Sequence, residues 1–386
     1  MAKSIGQVIR GLVCLLVCGA GAVAGGEQTP AAAVPGATAT SWPLPRANAQ
    51  AQGVAQCDLP PQPQLLWKLT IDQGAFEATP VIVDGTVYLG DMDGTLYAWR
   101  LVDGQTLWSR KIGSGFAASP AIRGDRLYLG DIEGKFFAVD RHSGQVQWTF
   151  SAEAQIDNGA NFWEDKVLFG SQDAHLYCLS ADRGELVWKF AIGDQIRCLP
   201  TVVEDRSFVA GCDSVLHIID LRRGQEVAAV SIEAPTGVTP AVLGPRLFFG
   251  TEGGVFFAID WRAAQVAWKA EDKGATQPYR SSPAVQEGIV VVGSRNRRVE
   301  AFDPTSGTRR WSFSTRQRVD SSPVIVGPRV FVGAADGRLY ALELATGKEV
   351  WQYQASGGFV GSPAVADGRL VIATDRGVVY CFGKSQ

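Results

Sequence analysis

The 386-residue chain sets 36 Lys and Arg against 39 Asp and Glu, a formal net charge of −3, so its bulk electrostatics give no footing for nucleic acid. At 46% hydrophobic and 19% charged it has the composition of a globular protein, which excludes a disordered chain. Its 44 Gly and 11 Trp point to many tight turns and many large apolar anchors.

In chain order, residues 1–24 read as an export signal. Lys3 and Arg10 supply a basic start, Gly11 to Val23 is an apolar run short of a membrane span, and Ala22-Val23-Ala24 offers the small residues beside which a signal peptidase cuts. A lipid anchor at Cys18 is disfavoured, because the residue before a lipidated cysteine is normally small and Val17 is not. Residues 25–64 are rich in Ala, Pro, Gly and Gln and nearly free of charge. They hold too little apolar surface to offset the entropy of ordering, and are predicted to form a flexible, partly extended linker whose removal costs the domain at 65–386 little.

From residue 65 onward tryptophan recurs at a step of about 40 residues, the mark of a repeat array. The positions are Trp67, Trp108, Trp148, Trp188, Trp268, Trp311 and Trp351, with Ala228 in the remaining slot. Other columns keep step. A proline closes a run of small residues at Pro80, Pro120, Pro200, Pro240, Pro283, Pro323 and Pro363, and only Gly159-Ala160 lacks it. Two short apolar runs follow, as in Val87-Tyr88-Leu89 and Leu96-Tyr97-Ala98-Trp99. Then comes a turn with glycine ahead of the tryptophan: Gly104, Gly144, Gly184, Gly224, Gly307 and Gly347, with Ala264 the exception.

Apolar runs this short, bounded by Gly, Asp and Pro, are strands, so each unit is four strands, A to D. The whole is therefore all-β: an eight-bladed β-propeller of four-stranded antiparallel blades. A solenoid would need distinct end caps, and the end units here are as regular as the middle ones. The tryptophan strand occurs once before the first A–B–C set and not after the last. Residues 65–70 are thus predicted to close the ring as the outer strand of blade eight, removing an exposed sheet edge.

The stretch Ala341-Leu342-Glu343-Leu344-Ala345-Thr346-Gly347-Lys348-Glu349-Val350-Trp351, echoed at 301–311 and 138–148, resembles the tryptophan-docking motif of the PQQ-type β-propeller repeat. The resemblance runs from residue 65 to the end, while the Gly-His and Trp-Asp marks of WD40 repeats are missing. It implies that the seven tryptophans are structural, each wedged against the next blade. The family has two branches: quinoprotein dehydrogenases, which bind PQQ and calcium, and a non-catalytic branch of BamB-like outer-membrane assembly factors. Ser41-Trp42-Pro43-Leu44-Pro45-Arg46, with Gly53 beyond, also resembles a leader found ahead of such propellers in exported bacterial proteins.

The parts of an enzyme are not legible. A quinoprotein dehydrogenase calls for adjacent cysteines, and none of the seven are adjacent. The three histidines, His142, His175 and His217, do not cluster for zinc, and no nucleophile elbow or phosphate loop occurs. No catalytic residue, cofactor or metal is therefore expected. Acids recur in the B–C turns at Asp91, Asp93, Asp131, Glu133, Asp173, Asp213, Glu252, Asp336 and Asp375. They are read as turn residues bonding their own backbone rather than as a cation-binding ring.

Blade six departs from the pattern. Its B–C turn, Ser294-Arg295-Asn296-Arg297-Arg298, is basic where the others are acidic, and its D–A loop is lengthened through Gln277-Pro278-Tyr279-Arg280. In a four-stranded blade these loops emerge on one face, which nominates Tyr279, Arg280, Arg295, Arg297, Arg298 and Arg318 as a partner-binding cluster, with Arg316 and Arg197 near it. Cys198 and Cys212 flank a hairpin centred on Asp205 and are candidates for a disulfide. The expectation is an exported, monomeric, periplasmic or outer-membrane-associated scaffold that binds a protein partner in the cell envelope. The alternatives are a PQQ-dependent oxidoreductase and a propeller that binds an envelope carbohydrate or signalling partner.

Overall fold

Asp84-Gly85 joins the first two strands of blade one with φ of +49° and +68°. Two successive left-handed residues make the tight turn whose twist matches that of the strands it joins. Strand A is Val81–Val83, B is Thr86–Gly90, C is Thr95–Arg100 and D is Thr106–Lys111. They are antiparallel in the order A-B-C-D. The same plan recurs at 121–151, 161–191, 201–231, 241–271, 284–314 and 324–354. The computed structural model describes residues 36–271 and 277–385. The predicted signal, Cys18 and residues 25–35 of the predicted linker lie outside that set.

Blade eight carries the closure. Gln64–Thr70 pairs antiparallel with Val378–Gly383, completing a sheet with Arg369–Ala373 and Ala364–Ala366. This is the strand that the count of repeats left over.

The core lies in the seams between blades. Strand C pairs with strand D through a one-residue slip at each docking position: Ala98 faces Trp108 but Trp99 faces Thr106, so Leu107 is the extra residue of a β-bulge. The bulge residue points outward, Leu107 being 47% exposed, while the tryptophan turns into the seam. There its indole donates to a carbonyl just past strand C of the next blade. The pairs are Trp67 to Leu101 (2.9 Å), Trp108 to Arg141 (3.1 Å), Trp148 to Ala181 (3.3 Å), Trp188 to Leu221 (3.1 Å), Trp268 to Pro304 (3.0 Å) and Trp311 to Leu344 (2.8 Å). Trp351 packs edge-on against Phe382, ring centroids 5.5 Å apart. The repeat glycine lies under six of the seven indoles, from Gly104 under Trp67 to Gly347 under Trp311. At Gly347, φ is +72° and a Cβ would stand 2.5 Å from Trp311, so both backbone and space demand glycine.

The predicted linker is corrected over 36–64, which is an ordered part of the domain. Strand A is the inner edge of each sheet, and its middle residue aims an N–H into the central channel. The N-terminal segment supplies the acceptors. Ile82 N bonds Trp42 O (2.9 Å), Ile122 N bonds Pro43 O (2.9 Å), Val202 N bonds Ala49 O (2.9 Å), Val242 N bonds Gln50 O (2.9 Å), Val285 N bonds Gln52 O (2.8 Å) and Ile325 N bonds Gly53 O (2.9 Å). Asn161 Nδ2 reaches Ala49 O at 2.9 Å, and Asp367 N reaches Ala39 O at 2.7 Å. The segment so visits all eight blades and lies across the channel. Trp42, Leu44, Ala47 and Ala51 are fully buried. Few apolar side chains suffice because the stabilisation is largely main-chain: buried strand-edge amides need acceptors, and extended backbone carries one per residue.

Candidate functional site

On the face formed by B–C turns and D–A loops, the recurring acids hold turns. Asp91 Oδ1 accepts the N–H groups of Asp93 (3.0 Å) and Thr95 (2.8 Å), and its Oδ2 accepts the Tyr97 hydroxyl (2.8 Å). Asp131 repeats this with Glu133, Lys135 and Ser114, and Asp173 with His175 and Tyr177. Their lone pairs are committed to backbone and hydroxyl donors, as expected of Asp in tight turns. Among the described residues no three His, Cys, Asp or Glu side chains are grouped to hold a metal ion.

On this face two carboxylates pair with three of the nominated arginines, one with Arg280 and the other with Arg295 and Arg318. Arg280 Nε lies 3.0 Å from Glu252. Arg295 grips Asp320 with Nε and Nη2, both at 2.8 Å, and Arg318 Nε reaches the same carboxylate at 3.0 Å. Burial works to raise the Asp320 carboxyl, but the two guanidiniums outweigh it and hold the group below the ordinary range. The Asp320 hydrogen bond in turn raises Arg295. Arg297 is exposed at the tip of the turn with φ +61°, and Arg298 opens strand C opposite Ser314.

Tyr279 is corrected. It is 3% exposed, packs against Phe256 at 5.6 Å and places its hydroxyl 3.2 Å from Glu300. Its amide bonds Thr251 O, as Phe116 N bonds Asp91 O and Val319 N bonds Ser294 O. Tyr279 is thus blade six's member of an apolar column that seals each D–A loop onto the preceding blade, and the three-residue lengthening had hidden that register. It is core, not contact surface.

Toward the channel the loops end in a belt of hydroxyls. Thr79 N donates to Ser119 Oγ (2.8 Å), Leu199 N to Thr239 Oγ1 (3.0 Å), Thr239 N to Ser282 Oγ (3.1 Å), Ser282 N to Ser322 Oγ (2.9 Å), Ser322 N to Ser362 Oγ (2.9 Å) and Ser362 N to Thr79 Oγ1 (3.0 Å). The belt breaks at blades three and four, where Gly159 and Leu199 carry no hydroxyl, and at Gly159 the proline column also fails. A Cβ on Gly159 would stand 2.6 Å from Pro45, so the exception makes room for the N-terminal segment. Beside Pro45, Arg46 is 4% exposed and donates from Nη2 to the carbonyls of Pro283 (3.0 Å) and Pro323 (2.8 Å). Its Nε and Nη1 find no acceptor among the described residues. Burial lowers the guanidinium to about 9, which leaves it charged at neutral pH. Sequence reasoning missed the role of this segment. Its signal was the Trp42-Pro43-Leu44-Pro45-Arg46 string with Gly53, which carries no repeat and no strand pattern.

The Cys198–Cys212 bridge is not formed; both thiols are free. The blade-four hairpin sets Thr201 opposite Phe208 and Val203 opposite Arg206. Continuing that register puts Cys198 against Gly211, so Cys212 is one residue out, and neighbouring side chains on a strand point to opposite faces. Burial pushes the Cys198 thiol up to about 12.

A family model described as outer membrane protein assembly factor BamB matches residues 52–160, 137–227, 212–320 and 295–385. The solved structure of BamB from Moraxella catarrhalis is 19% identical over 84% of this chain and 98% of that one, with a TM-score of 0.72. The computationally designed Ika8 protein is 18% identical over 83% of this chain and all (100%) of that one, TM-score 0.74. A europium-containing methanol dehydrogenase is 13% identical over 89% and 98%, TM-score 0.75. At these identities the likeness is one of fold, and it takes in BamB, a designed protein and a dehydrogenase alike. No curated protein matches the chain in sequence.

Proposed function

The chain belongs to the family of the outer membrane protein assembly factor BamB, and from that premise we propose that it is an exported, non-catalytic scaffold that binds a protein partner in the cell envelope. The observation that carries the reading is the arginine cluster on one face of blades six and seven. Arg280 pairs with Glu252, Arg295 and Arg318 pair with Asp320, and Arg297 is exposed. Pre-positioned guanidiniums suit carboxylates and exposed carbonyls of a partner, and a basic cap on a net acidic ring orients an acidic one. An outer-membrane assembly complex fits such a partner.

Changing Arg280, Arg295 and Arg297 together to Glu should abolish recovery of the partner from envelope extracts with the fold retained. The matched change of Arg183, Arg222 and Lys348, in C–D turns at the other end of the blades, should leave recovery intact. Loss in the second variant and retention in the first would place the contact on the other face. A PQQ-dependent oxidoreductase is the reading from another class. A titration with PQQ and calcium should show no saturable quinone complex, and a stoichiometric one would overturn the scaffold reading.

A further inference from the structure

Two arginines are buried among the described residues, Arg46 at 4% and Arg141 at 9% exposure. Arg141 meets the usual condition for a buried charge, with Nη2 2.7 Å from Asp84. Arg46 does not. Burial alone acts on it, and no carboxylate among the described residues stands near enough to raise it back. The carbonyls of Pro283 and Pro323 take its Nη2, but a carbonyl is a dipole and adds no net charge. Nε and Nη1 are closed to solvent and have no acceptor. Trp42 Nε1, fully buried on the same segment, has none either. Every orphan side-chain atom of residues 36–57 is therefore a donor. The fold holds the cation there against local preference. Gly53 N closes onto Arg46 O at 3.1 Å, and the loop between them turns through Ala47 and Ala51 at φ +77° and +57°. Alanine adopts that left-handed backbone only where its surroundings impose it. Ser282 and Ser322 precede the two prolines. Each hydroxyl oxygen accepts a neighbouring amide and so keeps a proton to donate.

We propose that the channel binds a small inorganic monoanion of the halide kind, held at Nε and Nη1 of Arg46 where that side chain meets blades six and seven. The charge sets the sign of the ligand, since a guanidinium taken out of water is costly until a counter-charge meets it. The donors set its role as acceptor. Their closure to solvent sets its size, which rules out a peptide or a polyphosphate. Water accepts from the same nitrogens but leaves the charge unbalanced. Once bound, the ion fastens the N-terminal segment to the inner edges of blades six and seven, where Val285 and Ile325 already bond Gln52 O and Gly53 O. Nothing in this depends on the partner assigned to the arginine face.

The test uses the full chain, with bromide as the probe. Its melting temperature is followed as bromide replaces gluconate at constant ionic strength. A saturable rise of roughly a few degrees is expected. The rise should be lost in R46Q, which removes the charge and keeps an amide donor for the proline carbonyls. In crystals of the native chain grown with bromide, anomalous diffraction should place a peak against Nε or Nη1 of Arg46. That measurement needs no variant and decides the matter even where R46Q does not fold. Glu27 and Asp272 are the acids outside the described residues, and either carboxylate seated at Arg46 would leave the native chain without the bromide response. Absence of that response, absence of the peak at Arg46, or an equal response in R46Q would overturn the proposal. So would a peak with no saturable effect in solution, which would mark an adventitious ion only.

Discussion

Gly53 and Gly85 share a left-handed backbone, φ +65° and +68°, but not their surroundings. Nothing lies within 4 Å of a Cβ built on Gly85, whereas on Gly53 it would overlap the Arg46 guanidinium and stand 3.3 Å from Pro323 O. Alanine at either position bears about 1–2 kcal/mol of backbone strain. At Gly53 it must also displace a side chain fixed by two carbonyls, for a further ~1–3 kcal/mol of overpacking. G53A should therefore melt clearly below G85A in calorimetry; equal melting would mean Arg46 is not packed against that turn. Asp320 gives a pH-dependent case. Its folded carboxyl is held low, so its contribution is fully present above the unfolded value of about 4 and is lost as pH falls through the folded value. The stability gap between the native chain and D320N should be open at pH 7 and close in strong acid. A gap independent of pH would show that the two arginines are not what Asp320 answers.

Among the elements, the segment at 36–57 and the strand at Gln64–Thr70 close the ring in different ways. The strand adds an outer edge to one sheet; the segment ties the inner edges of all eight to one another. Each main-chain bond contributes about 0.5–1.5 kcal/mol net, and leaving its buried amide without an acceptor costs more. Deleting 36–57 should consequently lower the melting temperature about as severely as deleting 64–70. A truncation that melts like the full chain would return the segment to the status of a linker. The docking tryptophans are the other repeated element. Trp311→Ala should cost about 3–5 kcal/mol, since it empties a seam and orphans the Leu344 carbonyl. Denaturant unfolding gives the value, and a loss under 1 kcal/mol would show the seam to be held by the strands alone.

For the whole molecule, eight seams in a closed ring share one load, so loops on one face can vary at little structural cost. Blade six uses that freedom for its arginines, in a chain of net charge −3. Charge separation of this kind acts mainly on encounter. If the arginine face binds an acidic partner, the association rate should fall with added salt while the dissociation rate changes little. Surface plasmon resonance over a salt series measures both, and a salt effect confined to dissociation would count against that face.

What the sequence determined by itself is what repeats. Trp67 to Trp351, the prolines before strand A and the glycines before most of the tryptophans fix the blade, the count of eight and the closing strand. Each arises from short-range strand and turn preferences, restated once per blade. That Arg280, Arg295 and Arg318 lie on one face also followed from their place in the repeat, because loop position in a blade dictates the face. Tertiary structure alone decided the rest. The stretch from Ala39 to Ala55 has no strand pattern and no period, and its partners, from Ile82 to Asp367, are scattered along the chain, so only the assembled channel shows where its carbonyls go. Tyr279 looked like surface until the Thr251 carbonyl fixed its register, and Cys212 looked paired until a two-residue turn at Glu204-Asp205 moved the hairpin by one. In each case the deciding contact was a main-chain hydrogen bond, which leaves no mark on the identity of the side chain that carries it.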